Sequence, residues 1–129
     1  MKRVLIVEDQ ASDIRLAAAL AESLGATQVE ARSSASAAKL YLQTALEGKQ
    51  ELPDLMVVDL NLGYESGFEL LRYWHSTAEL SRTRLIVWTA MDEGQQEICR
   101  LFKVDAVVSK ADGLTALKQV LEPLARTAS

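Results

Sequence analysis

The stretch DLMVVDLNLGYESGFELL, residues 54–71, decides how the chain is interpreted, because a strand-like apolar run leads directly into a charged residue. Leu55 to Val58 are all apolar and Asp59 follows them, while Gly63 and Gly67 lead into a helical pattern. A short run that is apolar throughout is typical of a strand covered on both faces, as in a parallel sheet. Asp59 therefore stands at the end of a buried strand, either as a turn residue or as a reactive group.

The same strand pattern recurs elsewhere in the chain. RVLIVED (residues 3–9) and RLIVWTA (84–90) are equally continuous and rich in Val, Leu and Ile, whereas TQVEAR (27–32) and DAVVSK (105–110) are weaker. Together with DLMVVDL (54–60) they predict five strands, of which three are buried on both faces.

Apolar residues at helical spacing follow each of these runs. They fall in five groups, at residues 14–24, 40–46, 70–74, 98–102 and 114–124. We expect Ser12 or Asp13 to cap the first helix, because short polar side chains accept hydrogen bonds from the first turn. We expect the last helix to end near Leu121, because Pro123 lacks an amide proton.

The order is therefore β-α five times, which predicts an α/β fold: a doubly wound (βα)5 arrangement around a parallel five-stranded sheet. In such sheets the functional groups lie beyond the carboxyl ends of the strands. The residues at those positions are Glu8 and Asp9, then Asp59, Thr89 and Lys110.

These residue types favour phosphoryl transfer. If the first and third strands are neighbours, the carboxylates of Glu8, Asp9 and Asp59 converge and repel one another. A hard divalent cation with oxygen ligands removes that repulsion, and Mg²⁺ fits because it needs few carboxylates. Lys110 adds a positive point charge and Thr89 a hydroxyl donor, so a phosphoryl group transferred to Asp59 would be neutralised there.

With these residues in order, the chain resembles a response-regulator receiver domain of two-component signalling, essentially from end to end. The matching features are the acidic pair ED at 8–9, Asp59 with Gly67 eight residues on, TA at 89–90 and SK at 109–110. The resemblance implies one receiver domain over residues 1–129 with the flavodoxin-like strand order 2-1-3-4-5.

The resemblance also implies a role for each site residue. Asp59 is the implied phosphoacceptor, Thr89 engages the phosphoryl group after transfer, and Lys110 holds a phosphoryl oxygen. The implied Mg²⁺ ligands are Asp9, Asp59, the main-chain carbonyl of Asn61 and, through a bound water, Glu8. The implied partners are a histidine kinase or phosphotransfer protein as donor and a downstream protein of unknown identity. Beyond its own phosphoryl transfer and slow autodephosphorylation, such a domain is not an enzyme.

Three positions depart from the family pattern. Gly63 and Ala111 stand where the family often has proline. We therefore expect a more mobile loop after Asp59 and, after Lys110, a trans bond or a locally altered loop. Val107 stands in place of the aromatic switch residue. We therefore expect movement of Thr89 to pass mainly through the backbone of residues 90–94 into the fourth helix.

Other functions remain as alternatives. A degenerate receiver that binds its partner independently of phosphate is kept open by Val107 and Ala111. A haloacid-dehalogenase-like phosphatase would carry a second Asp where this chain has Asn61, which cannot act as a general acid. A flavodoxin-like carrier or nucleotide binder would need a glycine-rich phosphate loop, which the sequence lacks.

Composition limits the remaining classes. The net charge is −4, which argues against nucleic-acid binding through the overall field of the domain. No apolar stretch approaches the length of a membrane span. The single cysteine, Cys99, excludes an intramolecular disulfide, so we expect a cytoplasmic location. Trp88 is interpreted as a core residue.

Overall fold

Five parallel strands form the central sheet of the computed structural model, which describes residues 1–90 and 93–127. The strands of this sheet are β1 (Arg3–Val7), β2 (Gln28–Arg32), β3 (Leu55–Val58), β6 (Arg84–Thr89) and β7 (Ala106–Ser109). Two shorter strands, β4 (Asn61–Leu62) and β5 (Glu65–Ser66), lie outside it. The helices are α1 (Ala11–Ser23), α2 (Ala35–Leu46), α3 (Gly67–Ser76), α4 (Glu93–Leu101) and α5 (Gly113–Thr127). Short 3-10 turns lie at Ala78–Leu80 and Lys110–Asp112.

The sheet order is β2-β1-β3-β6-β7, with β4 and β5 pairing separately as a small antiparallel hairpin. Counted over the five long strands, this is the order 2-1-3-4-5, so the predicted doubly wound fold is confirmed.

Helices cover both faces of the sheet because successive strand residues point to opposite sides. One face packs against α2, α3 and α4, and the other against α1 and α5. Buried side chains on the first face include Leu5, Val7, Leu42, Met56, Leu70, Leu71, Leu85 and Cys99. Those on the second include Val4, Ile6, Ala17, Val57, Ile86, Trp88, Leu117 and Leu121.

The strand register brings the predicted site residues to one edge. Val7 pairs with Val58, and Val58 pairs with Val87, so the residues that follow these strands are level with one another. The amide of Asp59 extends the ladder by donating to the carbonyl of Val7 at 2.9 Å. The sheet thereby places Asp59 beside Glu8.

The prediction for the start of the first helix was wrong. Helix α1 begins at Ala11, and its N-cap is Gln10, whose side chain makes no capping hydrogen bond. Ser12 and Asp13 lie inside the first turn. The helix tolerates this start because Asp13, near the positive end of the helix dipole, is favourable there without acting as a cap.

The prediction that the last helix ends near Leu121 was also wrong, because α5 continues through Pro123 to Thr127. Pro123 is exposed, and so is Gln119, whose carbonyl lacks an amide partner at position 123 and can be hydrated instead. Beyond the proline, Leu124 still packs against the core of the second face. That packing offsets the missing hydrogen bond.

Two further observations concern the backbone. The described peptide bonds are all trans, which confirms the prediction for Lys110–Ala111. Within residues 1–90 and 93–127, no helix combines the length and the apolar character needed to cross a bilayer.

Candidate functional site

Asp59 lies directly after β3 with its side chain 5% exposed. One carboxylate oxygen, Oδ1, accepts hydrogen bonds from the main-chain amide of Asn61 at 3.0 Å and from the hydroxyl of Thr89. The other, Oδ2, accepts from Lys110 Nζ at 3.0 Å. Three donors from three different segments therefore hold this buried carboxylate in one orientation.

The acidic group that the sequence predicted is present. Carboxylate oxygens of Glu8, Asp9 and Asp59 lie within 4.8 Å of one another. Glu8 and Asp59 are buried, whereas Asp9 is exposed and faces the solvent side of the edge. Hard oxygen donors at this spacing, with one open side, fit a small divalent cation that retains water ligands.

Glu8 carries the clearest electrostatic signature in the group. Burial raises the pKa of its carboxyl to about 7, and the negative charge of Asp59 acts in the same direction. Hydrogen bonds from Lys110 and from the amide of Gln10, at 2.7 Å and 3.0 Å, lower the pKa but do not cancel the effect of burial. The charged form of Glu8 is therefore disfavoured relative to that of an exposed glutamate.

Lys110 is the cation that joins the acidic groups. Its Nζ lies 2.7 Å from Glu8 Oε2, 2.7 Å from Asp13 Oδ2 and 3.0 Å from Asp59 Oδ2, and its side chain is 18% exposed. Burial by itself lowers the pKa of the ammonium, but the hydrogen bonds to these three carboxylates outweigh burial and raise the pKa. The ring of Trp88 lies beneath it, with 5.1 Å between Nζ and the ring centroid.

Thr89 is fully buried at the end of β6, at 0% exposure. Its hydroxyl donates to Asp59 and accepts from Asn61 Nδ2 at 3.2 Å. The same amide group of Asn61 also donates to the carbonyl of Ala90 at 2.9 Å. The Asn61 side chain therefore ties the loop after β3 to the end of β6, a contact that sequence reasoning did not predict.

Gly67 does more than form a turn. A Cβ atom at this position would overlap the carbonyl oxygen of Asp59 and would lie 2.7 Å from the Cα of Leu60. The amide of Gly67 donates to the carbonyl of Leu60 at 2.9 Å. Helix α3 can thus begin against the backbone at the end of β3 only because residue 67 has no side chain.

The loop after Asp59 forms a short antiparallel hairpin. Asn61 pairs with Ser66 and Leu62 with Glu65, and Gly63 sits at the first turn position with φ of 69°. That conformation suits glycine and matches a type II′ hairpin turn. The expected mobility of the loop at Gly63 stays a prediction, and the structure adds that this loop carries a short strand pair.

The structure brings together all the residues that the sequence predicted for the site: Glu8, Asp9, Asp59, Asn61, Thr89 and Lys110. Sequence reasoning missed Asp13, which it had assigned to a helix cap. One signal could have identified it, because a helix following a parallel strand begins above the same sheet edge as the strand ends. Residues 91 and 92, on the predicted route into α4, lie outside the described residues.

The family assignment follows from a match between the chain and a family model. Residues 4–122 match the model of the response regulator receiver domain. The chain belongs to this family. The arrangement of an acidic pair, a buried Asp, a Thr and a Lys at one sheet edge is thus found in a receiver domain.

Two curated relatives differ in how much of their length the chain covers. The chain is 38% identical over 113 residues to the virulence transcriptional regulatory protein PhoP of Salmonella choleraesuis, covering 87% of this chain but 43% of that protein. It is 30% identical over 110 residues to the polar-differentiation response regulator DivK of Brucella ovis, covering 84% of each. The chain thus spans less than half of the first relative and most of the second.

Solved structures agree with the fold. The phosphorylated cyanobacterial phytochrome response regulator RcpA is similar with a TM-score of 0.78 at 25% identity, covering 99% of this chain and 96% of that one. A two-component response regulator from Cytophaga hutchinsonii reaches 0.80 at 18% identity, covering 98% of each chain.

Proposed function

We propose that the chain is a single receiver domain that accepts a phosphoryl group on Asp59 and thereby switches a surface that docks on a protein partner. The observation that carries this proposal is the buried Asp59 carboxylate, held by Lys110, Thr89 and the amide of Asn61 beside the two other acids. A carboxylate that served only to end a strand would not require this set of donors.

The proposed donor is a phosphohistidine of a histidine kinase or phosphotransfer protein. An oxygen of the Asp59 carboxylate attacks the phosphorus atom, and the new O–P bond forms as the P–N bond breaks. The electron pair of the broken bond leaves with the imidazole nitrogen, which takes up a proton from solvent. The product is an acyl phosphate on Asp59 and a free histidine.

The acidic donor set supports a Mg²⁺ site. Asp9, Asp59 and the main-chain carbonyl of Asn61 would hold the ion, with Glu8 acting through a bound water. Bound there, Mg²⁺ supplies positive charge against the oxygens of the transferring phosphoryl group.

Lys110 and Thr89 have distinct proposed roles. Lys110 already points an N–H at Asp59 Oδ2, so its ammonium is placed to hold a phosphoryl oxygen. The Thr89 hydroxyl, now bound to Asp59 Oδ1, would exchange that acceptor for a phosphoryl oxygen after transfer. Phosphorylation adds about −1.5 to −2 charges at Asp59, which both donors stabilise.

The wider assignments are also proposals. The similar protein RcpA is a phosphorylated response regulator, and membership of the receiver family supports signalling rather than turnover of a substrate. We infer a cytoplasmic location, a downstream protein partner, and no enzymatic activity beyond the chain's own phosphoryl transfer and slow autodephosphorylation.

Incubation with acetyl phosphate and Mg²⁺, followed by intact mass measurement, tests the proposal. The wild-type chain is expected to gain one labile phosphoryl group, and Asp59→Asn is expected to gain none. Asp112→Asn, which alters an exposed Asp near the same edge, serves as the control and should behave as wild type. Full phosphorylation of Asp59→Asn contradicts the assignment, and a wild-type chain that stays unmodified supports the degenerate receiver instead.

A further inference from the structure

We propose that Asp13 is a positioning residue for Lys110, and that it keeps the ammonium directed at the phosphoryl site during transfer. The inference rests on the proposed function, in which Lys110 holds a phosphoryl oxygen. Asp13 belongs neither to the acidic group of strand ends nor to the residues that contact Asp59 in the described part of the chain. It acts through Lys110.

The geometry of the ammonium carries the inference. Lys110 Nζ has three protons, and three carboxylates lie within hydrogen-bond distance: Glu8 and Asp13 at 2.7 Å and Asp59 at 3.0 Å. An ammonium group has no further donor. With two protons held by Glu8 and Asp13, the third is directed at Asp59, where the phosphoryl oxygens arrive.

The three acceptors differ in whether they take part in phosphoryl transfer or metal binding. Asp59 loses its carboxylate charge when it becomes an acyl phosphate, and Glu8 is one of the residues offered to a divalent cation. Asp13 takes part in neither event. It lies on the first turn of α1 with its side chain 25% exposed, and it is assigned no bond to the phosphoryl group or to a metal ion.

Trp88 contacts the Lys110 ammonium from a second direction. Its ring, 4% exposed in the core of the second face, lies 5.1 Å from Nζ, which is within the range of a cation–π attraction. Within the described residues its indole Nε1 has no hydrogen-bond partner, so the ring is held by packing and by the cation above it. Asp13 and Trp88 together restrict Lys110 from the side of α1.

Phosphorylation kinetics with acetyl phosphate and Mg²⁺ give the first test. Here the O–P bond to Asp59 forms as the P–O bond of the donor breaks and acetate leaves. Asp13→Ala should slow phosphorylation about fivefold to tenfold, as expected for the loss of one partly exposed hydrogen bond of ordinary strength. Asp13→Asn retains an acceptor oxygen and should recover most of that rate. Ser12→Ala, an exposed neighbour in the same turn, should leave the rate unchanged.

A double-mutant cycle separates positioning from a general effect on the fold. If Asp13 acts only through Lys110, Asp13→Ala should have almost no further effect in a Lys110→Ala background. The same cycle built on Lys110→Met, which removes the charge and the donors but keeps most of the side-chain length, covers the case in which Lys110→Ala does not fold. An equal slowing by Asp13→Ala in the wild-type and the Lys110-substituted backgrounds overturns the inference.

Fluorine NMR of protein labelled with 5-fluorotryptophan gives a readout that needs no phosphorylation. The chain has two tryptophans, and Trp74→Phe assigns their signals. Asp13→Ala and Lys110→Ala should shift the Trp88 signal in the same direction, while Ser12→Ala leaves it in place. An unmoved Trp88 signal in Asp13→Ala overturns the inference. Failure of the wild-type chain to accept phosphate on Asp59 would instead refute the proposed function.

Discussion

At the scale of single residues, the site depends on opposing effects that are balanced over short distances. Burial raises the pKa of Glu8 to about 7, while Lys110 lies 2.7 Å away and opposes that rise. The same Lys110 has a raised pKa because its three carboxylate partners outweigh burial. The pKa of each group therefore depends on its neighbours, and substitution of one of these residues changes the pKa of the other.

Gly67→Ala tests the close approach of α3 to the end of β3. The added methyl group would overlap the carbonyl of Asp59 and press on Leu60, so we expect a loss of about 1–3 kcal/mol in the free energy of unfolding. Urea denaturation measures this loss. Gly94→Ala, in an exposed turn of α4, is the control and should be neutral or slightly stabilising. Equal stability of the two variants would show that α3 shifts at no cost.

Asp9→Ala tests the exposed member of the acidic group. We expect most of the Mg²⁺ affinity to be lost, because the ion loses a direct carboxylate ligand. In metal-free buffer the same change should raise Tm, because one source of carboxylate repulsion is gone. Titration calorimetry and thermal melting measure the two effects. Glu97→Ala, an exposed acid on α4, should change neither, and unchanged Mg²⁺ affinity in Asp9→Ala would exclude Asp9 as a ligand.

At the scale of elements, the hairpin β4–β5 is joined to the start of α2. The Glu65 carboxylate accepts from the Ser36 amide at 3.0 Å and from the Ser36 hydroxyl at 2.6 Å. These hydrogen bonds lower the pKa of Glu65, and the carboxylate lies at the positive end of the α2 dipole. The segment that follows Asp59 is thus connected to a helix on the outer part of the sheet.

Glu65→Ala should release this connection. We expect faster hydrogen exchange at the amide of Ser36 and in the hairpin, because both lose an ordered partner. Glu69→Ala is the matched control, since that acid lies nearby on α3 but contacts Lys39 only at 3.7 Å. Unchanged exchange at Ser36 in the Glu65 variant would show that the hairpin is held by its own pairing alone.

Asp54 links the start of β1 to β3, and its effect on stability should depend on pH. Burial tends to raise the pKa of its carboxyl, but hydrogen bonds from the amides of Arg3 and Lys2, at 2.9 Å and 2.8 Å, lower it below the usual 3.8. The folded carboxyl binds its proton less tightly than the unfolded one. Its contribution is therefore complete above about pH 3.8 and is lost as the pH falls through the lower folded pKa.

Urea unfolding of wild type and Asp54→Asn across this range measures the effect. The difference in unfolding free energy should be constant near neutral pH and should shrink below about pH 3.8. If the difference in unfolding free energy is the same at neutral pH and below about pH 3.8, the charge of Asp54 contributes nothing to stability beyond its hydrogen bonds.

At the scale of the whole molecule, the proposed phosphorylation would act on a partner surface without an aromatic residue at position 107. Val107 lies in β7, half-buried against the core of the first face, and is stiff at χ1 because it is β-branched. The Asn61 side chain donates hydrogen bonds to Thr89 and to the carbonyl of Ala90. A movement of Thr89 would therefore displace both the hairpin and the end of β6.

Addition of beryllofluoride and Mg²⁺ should therefore shift amide resonances most in residues 59–63, 89–94 and 110–112. The methyl signals of Val107 should report a changed environment without exchange between χ1 wells. Methyl and amide NMR of the same sample measure both. Val107→Ile keeps the β-branch and should give the same amide pattern, whereas Val107 jumping between two rotamers on activation would mean that valine serves as the switch.

The sequence by itself determined the order of elements and the position of the reactive groups. A continuous apolar strand is recognisable locally, since it needs no polar face, and parallel strands bring their carboxyl ends to one edge whatever the details of packing. Asp59, Glu8 and Lys110 could therefore be placed together from their positions in the chain alone.

Only the tertiary structure decided the features that depend on contacts between distant segments. Asp13 appeared to be a cap because local patterns show an acid at a helix start but not the Lys110 that lies 97 residues away in the chain. Pro123 appeared to end α5 because its lost hydrogen bond is a local property, whereas the packing of Leu124 that offsets it comes from the core. Local sequence encodes backbone preference and strand burial; side-chain pairing across the fold is set by geometry that exists only once the sheet has formed.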